Sequence, residues 1–582
     1  MNTETKNCQN CKQNFSIDAD DLSFYERMKV PAPTFCPECR LIRRLARRNE
    51  RTFHSRKCDK CGKQTIAIFS EDSGVSVYCS PCWWADDWDG MDYGVDFDPS
   101  RPVLTQINDL FHRVPQMNLN GLYQTKVNSE YTHMASWLKD CYMVTYSDYC
   151  ENVIYGSFVN HTKDSIDNLM GEKLELCYET TNCSQCYRTV FSIDCESCTD
   201  VWFSKNCSGC TNCFGCVNLK NKSYHIWNVA YTKEEYEKKL KELYPTTPAD
   251  IHAVQEKALS LWQKFPQKYM HGWRNVGSTG DYLNDTKNAK NCFVGFNIED
   301  CRYCSFITGK MTDTYDFINF GQGSSLMYEI MQGGDQCQNL RFSQFVITNC
   351  RDVDYSFYCI GCQDIFGCVG LKKRRYCIFN KQYEKEEYFK LREKLITHMN
   401  EMPYVDSQGL TYRYGEFFPI ETSAFSYNET SAQEFFPLTR EEALTKGYTW
   451  REQDKRNYKV TIESKDLPKN IVDVPESIVD EVIGCAHQGI CGEQCASAYK
   501  IVPAELQFYK RMNLPIPELC PNCRHAQRIQ YRNPMKLWHR SCMCKEGSHG
   551  HASACPNEFE TSYAPERPEI IYCESCYQKE VL

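Results

Sequence analysis

The sequence has no long apolar segment and no catalytic signature. No window approaches about 18 uninterrupted apolar residues, so no transmembrane helix is predicted. The opening residues, Met-Asn-Thr-Glu-Thr-Lys-Asn, contain no apolar stretch, so we expect no signal peptide there. Phosphate loops, dinucleotide fingerprints, nucleophile elbows, zincin motifs and kinase motif sets are all missing. We therefore nominate no catalytic residue.

The chain also has few histidines, and its net charge is negative. The chain of 582 residues has 13 histidines and a formal net charge of -9. This charge argues against a wholly basic nucleic-acid coat protein, although it leaves room for a local basic patch. The length predicts several domains, roughly four.

Cysteine, in contrast, is abundant, with 38 residues. Since no signal peptide is expected, a secreted disulfide scaffold is not favoured. Metal-bound or buried thiols in a reduced cytoplasm are the better interpretation. We therefore predict a cytoplasmic location and no membrane partner.

The two ends of the chain repeat one arrangement of four cysteine pairs. In both copies 24 residues separate the first and second pairs, and 18 separate the second and third. Such pairs fit two tetrahedral four-cysteine sites, which leave no position open for water. We therefore predict about four structural Zn2+ sites. The predicted ligands are Cys8, Cys11, Cys36, Cys39, Cys58, Cys61, Cys79, Cys82, Cys491, Cys495, Cys520, Cys523, Cys542, Cys544, Cys573 and Cys576.

The last site is irregular. One residue separates Cys542 from Cys544, which is tight for a metal-binding knuckle. Cys555, His549 or His551 is therefore an alternative ligand there. A cross-braced pairing of the four cysteine pairs also stays open.

Part of each end resembles a known family. The stretch from Asp21-Leu-Ser-Phe-Tyr-Glu-Arg-Met to Cys36-Pro-Glu-Cys39-Arg40 resembles the probable zinc-ribbon domains of treble-clef type. The resemblance covers about forty residues at each end and departs at Cys491-x3-Cys495. It implies zinc and a fold, but no reaction. As a whole, the chain resembles large uncharacterised cysteine-rich proteins of candidate-phylum bacteria, and that resemblance implies no activity.

Arginine recurs at helical spacing after the second cysteine pair of each end. The offsets 0, 3, 4, 7, 8 and 11 place the N-terminal set on one helix face, where phosphate suits the guanidinium geometry. A docking surface for an acidic partner, or for acidic patches of this chain, is the alternative, and a solvated helix face is another. The candidate nucleic-acid contacts are Arg40, Arg43, Arg44, Arg47, Arg48, Arg51, Arg524, Arg528 and Arg532.

Two arrays of 12-residue units lie between the cysteine-rich ends. They begin near Lys126 and Gly277, and the second contains occasional 11-residue units. A unit this short predicts one coil of a β-solenoid, with two short strands and two turns. We interpret the central cysteines as a ladder of small buried residues. Additional zinc or disulfides are the alternative, for which the best metal candidate is the cluster Cys207, Cys210, Cys213 and Cys216.

The predicted fold is mainly β, with two β-solenoid arrays flanked by small α+β zinc modules of treble-clef or zinc-ribbon type. A charged helix after each array is expected to cap its open edge. The predicted divisions are a tandem zinc module (1–95), the first array with its helix (120–245), a helical connector (246–275), the second array with its helix (276–400), an extended arm and linker (401–483) and a second zinc module (484–582).

These features predict a non-catalytic, zinc-stabilised binding protein. Its Arg faces would contact nucleic acid, RNA in preference to DNA, without reading sequence. One alternative is a protein-assembly scaffold that docks on acidic surfaces. Another is an enzyme whose site lies between the arrays, which predicts a deep pocket lined by carboxylates with perturbed pKa values.

Overall fold

The computed structural model describes residues 3–452 and 459–581, and its fold is mainly β with small cysteine-rich modules. Residues 453–458 of the predicted arm and linker lie outside the described residues. The helices are Ala19–Met28, Pro37–Leu45, Ser80–Trp84, Val103–Arg113, Lys233–Leu243, Pro248–Trp262, Lys385–Glu401, Ser431–Phe435, Arg440–Thr445, Pro503–Met512, Pro521–Gln530 and Glu574–Val581.

Short strands make up most of the rest. Those before residue 120 are Glu4–Asn7, Asn14–Ile17, His54–Lys57, Gln64–Ala67, Val77–Tyr78 and Gln116–Met117. Those of the first array and its final hairpin are Lys126–Val127, Thr132–His133, Ser136–Lys139, Val144–Thr145, Asp148–Ile154, Ser157–Asn160, Lys163–Ile166, Leu169–Glu172, Thr199–Trp202, Thr211–Phe214, Ser223–Ile226 and Val229–Ala230.

The second array has longer strands. With its final hairpin it comprises Gly272–Val276, Gly280–Lys287, Cys292–Phe296, Ile298–Arg302, Ser305–Ile307, Met311–Phe320, Ser324–Gly334, Gln338–Arg341, Gln344–Ile347, Arg351–Asp354, Gln363–Phe366, Arg375–Ile378 and Lys381–Gln382. The remaining strands are Gln267–Lys268, Tyr404–Val405, Thr411–Tyr412, Ile462–Glu463, Ile483–Gly484, Ala498–Tyr499, Trp538–Ser541, Glu558–Thr561 and Ile571–Tyr572.

The strands within each array pair in parallel with the equivalent strand of the next unit. In the first array Val201 lies opposite Cys213, which is twelve residues later in the chain. Single β-bridges outside the strands, such as Ser184 with Glu196, also join residues twelve positions apart. In the second array the step is 12 at Val353 and Ile365, but 13 where Val353 faces Leu340. Units of 13 residues therefore occur there, which the sequence interpretation missed.

Each unit of the first array turns at every third residue. Gln185 is one such corner, and its N–H donates to the carbonyl of Glu172 at 2.8 Å. Non-glycine residues pay roughly 1–2 kcal/mol for this left-handed backbone, so the ladder hydrogen bonds must offset a repeated cost. The four left-handed residues of one unit are Asn182, Gln185, Arg188 and Phe191, with φ between 49° and 53°. The unit thus has four short sides, not two strands and two turns.

The residue after each corner points inward. In the same unit these residues are Cys183, Cys186, Thr189 and Ser192, each at most 2% exposed. A Cys-x2-Cys spacing in the array therefore places two thiols inside adjacent sides of one unit. The thiols donate to backbone carbonyls, as Cys198 Sγ does to the carbonyl of Cys207 at 3.3 Å. Small side chains suit these positions because the enclosed space is narrow.

A hairpin and a charged helix end each array. The helix after the first array begins at Lys233 because Thr232 and Glu235 form a capping box. The corresponding helix after the second array begins at Lys385, behind the hairpin that closes its sheet. Both helices begin at the charged segments that the sequence singled out.

The terminal modules cross over to the distant arrays. In the N-terminal module the ring of Phe24 stacks on Tyr315 of the second array, with centroids 3.8 Å apart. In the C-terminal module Phe508 contacts Tyr178 of the first array, with centroids 6.0 Å apart. The two modules thus bury equivalent aromatic residues against different arrays.

Candidate metal centres

Four groups of cysteines share one local geometry. In each, a helix begins directly after the third cysteine, whose backbone N–H donates to the sulfur of the first. This bond favours the thiolate form, the form that binds metal. The four bonds are Cys36 to Cys8 at 3.2 Å, Cys79 to Cys58 at 3.2 Å, Cys520 to Cys485 at 3.3 Å and Cys573 to Cys542 at 3.2 Å.

The first two groups match the ligand sets that the spacing suggests. The sulfur atoms within each group lie within 4.8 Å of one another, which is compatible with one metal ion per group. The pairs combine in chain order and are not cross-braced. The groups are Cys8, Cys11, Cys36 and Cys39, and then Cys58, Cys61, Cys79 and Cys82.

Backbone donors prepare the second group for a metal. Burial raises the pKa of Cys58, but N–H groups of Cys61, Cys79 and Lys60 outweigh it and lower that pKa to about 7. The backbone therefore favours the thiolate, the form that binds metal.

The third group differs from the predicted ligand set in one member. Cys485 joins Cys495, Cys520 and Cys523, and it takes the position that Cys8 has in the first group. Cys491 is the fifth thiol, with Sγ 3.6 Å from that of Cys523. A search for cysteine pairs with short gaps misses Cys485 because nine residues separate it from Cys495. Its signal was a further cysteine just upstream of the expected knuckle.

The last group also recruits a ligand from outside the paired spacing. Cys555 joins Cys542, Cys573 and Cys576, and all four are buried. Cys544, which the spacing assigns to this site, lies instead in a neighbouring group with His549, His551 and Cys576. The alternatives drawn from the sequence thus all lie at this site.

The N-terminal Arg helix faces the inside of the molecule. The guanidinium group of Arg44 lies between two carboxylates of the second array, 2.6 Å from Glu329 Oε2 and 3.0 Å from Asp316 Oδ1. Arg40 also pairs with Asp316 at 2.8 Å, and Arg43 pairs with Glu329 at 2.6 Å. Burial raises the pKa of Glu329, but the charges of Arg43, Arg44 and Arg40 outweigh this effect, so the pKa is lowered. These groups form one buried ionic cluster.

Of the other N-terminal arginines of that set, Arg47 and Arg48 are buried and Arg51 is half-buried. Arg47 donates to Thr422 Oγ1 at 2.9 Å, and burial lowers its pKa to about 9. Arg48 pairs with Glu50, and burial lowers the pKa of Arg51 to about 10.

The C-terminal Arg helix repeats this contact on the first array. Arg524 and Arg528 both lie 2.8 Å from Asp167, one at each carboxylate oxygen. Arg528 also lies 2.8 Å from Glu179, in the next unit. Arg532 is 9% exposed and lies over the ring of Tyr282. The Asp and Glu of each cluster lie at left-handed corners of successive units.

The prediction of an exposed Arg face is corrected by this burial. Arg40, Arg43 and Arg44 are at most 1% exposed, so their guanidinium groups cannot reach a phosphate backbone. The reason is tertiary: helical spacing identifies a common face but not what covers it. The arginines instead contact acidic residues of this same chain, as the alternative of docking on the chain's own acidic patches predicts.

A cavity of about 220 Å³ lies between the two modules and residues 429–437 of the arm. Glu50, Arg51, Glu434 and His525 line it, and His525 Nε2 is 2.7 Å from Glu434 Oε1. Burial raises the pKa of both Glu50 and Glu434. The enzyme alternative predicts carboxylates with perturbed pKa values in a pocket between the arrays. Glu50 and Glu434 have such pKa values, but their cavity is not between the arrays.

No protein-family model matches the chain, and no curated protein is significantly similar to it. Among residues 3–452 and 459–581, every helix is too short or too polar to cross a bilayer.

Proposed function

We propose that this chain is a zinc-stabilised, non-catalytic scaffold for protein assembly. Zinc ions fold the two terminal modules, and each module fastens one β-solenoid array through its Arg helix. One observation carries the proposal: two modules nearly 500 residues apart in sequence contact the arrays through the same buried Arg–carboxylate arrangement, Arg44 with Asp316 and Arg528 with Asp167.

Zinc is the metal that best suits the cysteine groups. Each of the first three groups offers four thiolates, a soft and closed ligand set typical of structural zinc. The hairpin before Cys36 and the helix after it support the treble-clef assignment. Closed sites leave no water to activate, so their role here is to hold the modules folded.

The regular register supports a β-solenoid for each array. Parallel pairing at a step of about one unit and a buried residue after the left-handed corners fit stacked four-sided coils. In such an array each coil contacts only its neighbours, so its ends and edges need cover. The terminal helices and the docked modules supply that cover.

A scaffold agrees better with the buried arginines than a nucleic-acid grip. The cations that would contact phosphate are already neutralised by Asp316, Glu329 and Asp167. The outer face of the first array instead carries alternating charges, such as Lys139 and Glu151 at 2.7 Å. Charges paired in this way form no cationic patch of a single sign for a phosphate backbone.

Chelation followed by limited proteolysis tests this function. Zinc-loaded protein should resist trypsin, whereas stripped protein should be cleaved in the modules first and then in the arrays. Arrays that stay protected after metal removal would contradict the fastening role.

A parallel anisotropy titration with structured RNA, single-stranded RNA and duplex DNA should show no binding. Binding that weakens steeply with salt would favour the nucleic-acid alternative.

A further inference from the structure

The last module has more metal-ligating side chains than one tetrahedral ion can use. One group comprises Cys542, Cys555, Cys573 and Cys576, and a second comprises Cys544, His549, His551 and Cys576. The ligand atoms of each group lie within 4.8 Å of one another, and Cys576 belongs to both. Two tetrahedral ions that share one thiolate need seven ligands, the number present here.

We propose that the C-terminal module holds a two-ion zinc cluster bridged by the Cys576 thiolate. The first ion is bound by the four cysteines, and the second by Cys544, His549, His551 and the bridge. This inference rests on the proposed zinc-binding function of the modules and adds a site to it.

Both histidines have the orientation of metal-bound imidazoles. Nδ1 of His551 lies 2.7 Å from the carbonyl oxygen of Ser553, which requires a ring N–H there. Its Nε2 therefore carries a lone pair, and it lies 3.5 Å from Cys576 Sγ. One ring nitrogen held by an oxygen, with the other directed at the ligand group, is the usual arrangement of a ligating histidine.

His549 has the reverse orientation with the same result. Its Nδ1 lies 3.2 Å from Cys544 Sγ, whereas its Nε2 lies 3.6 Å from a carboxylate oxygen of Glu580. At this distance the carboxylate lies beside the ring without a hydrogen bond, whereas Nδ1 is the nitrogen directed at the thiol.

Charge and local sequence support a second ion. Five thiolates and two divalent ions leave a net charge of about -1, and Lys579 Nζ lies nearby, 2.5 Å from the carbonyl of His549. The loop between Cys544 and Cys555 reads Lys-Glu-Gly-Ser-His-Gly-His-Ala-Ser-Ala and has no large apolar side chain to anchor it. An ion bound by its two histidines would anchor this loop.

Native mass spectrometry of the zinc-loaded full chain tests the cluster. We expect wild type to carry one zinc more than His549→Ala or His551→Ala, and His551→Cys to restore the lost ion because thiolate can replace imidazole. His539→Ala is the matched control, since His539 lies in the same module but is 62% exposed and pairs with Glu560. It should keep the wild-type count.

The outcomes separate this inference from the proposed function. A wild-type chain with four zinc ions, or His549→Ala and His551→Ala variants that lose none, would overturn the two-ion cluster alone. A chain that binds no zinc would overturn both proposals. As a second readout, trypsin should cut after Lys545 faster in His551→Ala than in His539→Ala. Equal cleavage rates would contradict an ion that anchors the loop.

Discussion

Arg44 and Glu329 lie 285 residues apart in the chain and form an ion pair from which solvent is wholly excluded. Nη1 of Arg44 donates to Oε2 of Glu329 at 2.6 Å, and both side chains are 0% exposed. Asp316 contacts the same guanidinium group from the neighbouring unit. Because water cannot replace a lost partner, each charge in this cluster depends on the others.

Replacement of Arg44 by methionine should destabilise the protein strongly. The change leaves the buried carboxylates of Asp316 and Glu329 short of a cation, which typically costs about 3–5 kcal/mol. Urea denaturation measures the change in the free energy of unfolding. Arg27→Ala is the control, because the Arg27–Asp313 pair is 51% and 35% exposed and should contribute less than about 1 kcal/mol. Equal losses in the two variants would mean that the buried cluster does not hold the module.

The two classes of cysteine should differ in their effect on bound metal. Cys36→Ser removes a ligand of the first group, so the chain should lose one metal ion and the N-terminal module should unfold. Cys362→Ser alters an inward position of the second array and should leave the metal content unchanged. Elemental analysis by mass spectrometry measures both. Loss of metal from Cys362→Ser would instead support metal-binding cysteines inside the array.

Side-chain size should control the inward positions. Cys195 is 1% exposed, and it follows the left-handed corner at Asp194. Cys195→Phe adds volume where neighbouring units leave none, so we expect a loss of about 1–3 kcal/mol or more. Cys195→Ser should cost less, since Ser192 and Ser204 already occupy equivalent positions. Thermal unfolding compares the two, and a tolerated phenylalanine would show that this position is not enclosed.

His133 should make the protein sensitive to acid. Burial, assisted by Lys126 and Arg48, lowers the pKa of His133 to about 3. The unfolded chain takes up a proton near pH 6.5 but the folded chain does not. The stabilisation is therefore present above pH 6.5 and is lost as the pH falls toward 3. At pH 5 the loss is about 2 kcal/mol.

The variant His133→Gln should have a flatter dependence of unfolding free energy on pH over this range. Urea denaturation at pH 7 and pH 5 measures it. His252→Gln provides the comparison, because the His252 side chain is 72% exposed. A wild-type slope in His133→Gln would show that other groups cause the acid sensitivity.

The sequence predicts the local features of this protein better than its contacts. Cysteine spacing identifies the first two groups completely, since their ligands lie close together in the chain. It misses Cys485 in the third group, because an insertion moves that residue away from its partner. Metal ligation depends on sulfur positions in space, which short gaps reveal only when no insertion intervenes.

The Arg helix shows why its environment was not predictable. The offsets of Arg40, Arg43 and Arg44 correctly indicate one helix face, but the helix ends at Leu45, so the prediction that Arg47, Arg48 and Arg51 share that face is wrong. A solvated face and a buried one also have the same spacing. Their partners, Asp316 and Glu329, lie about 280 residues away and belong to no local pattern. The parallel between Arg44 on the second array and Arg528 on the first also needs the folded chain to be seen.

Because each terminal module docks on the more distant array, its contacts can form only late in synthesis on the ribosome. Arg43 must wait for Glu416, which is made 373 residues later. At about 5–20 residues per second this interval is roughly 20–75 seconds. Until Asp316 and Glu329 are made, the nascent N-terminal module exposes the unpaired cations of Arg40, Arg43 and Arg44. Only when the second array and the segment beyond it emerge does this basic surface close, so a transient partner during synthesis would meet a very different molecule from the finished one.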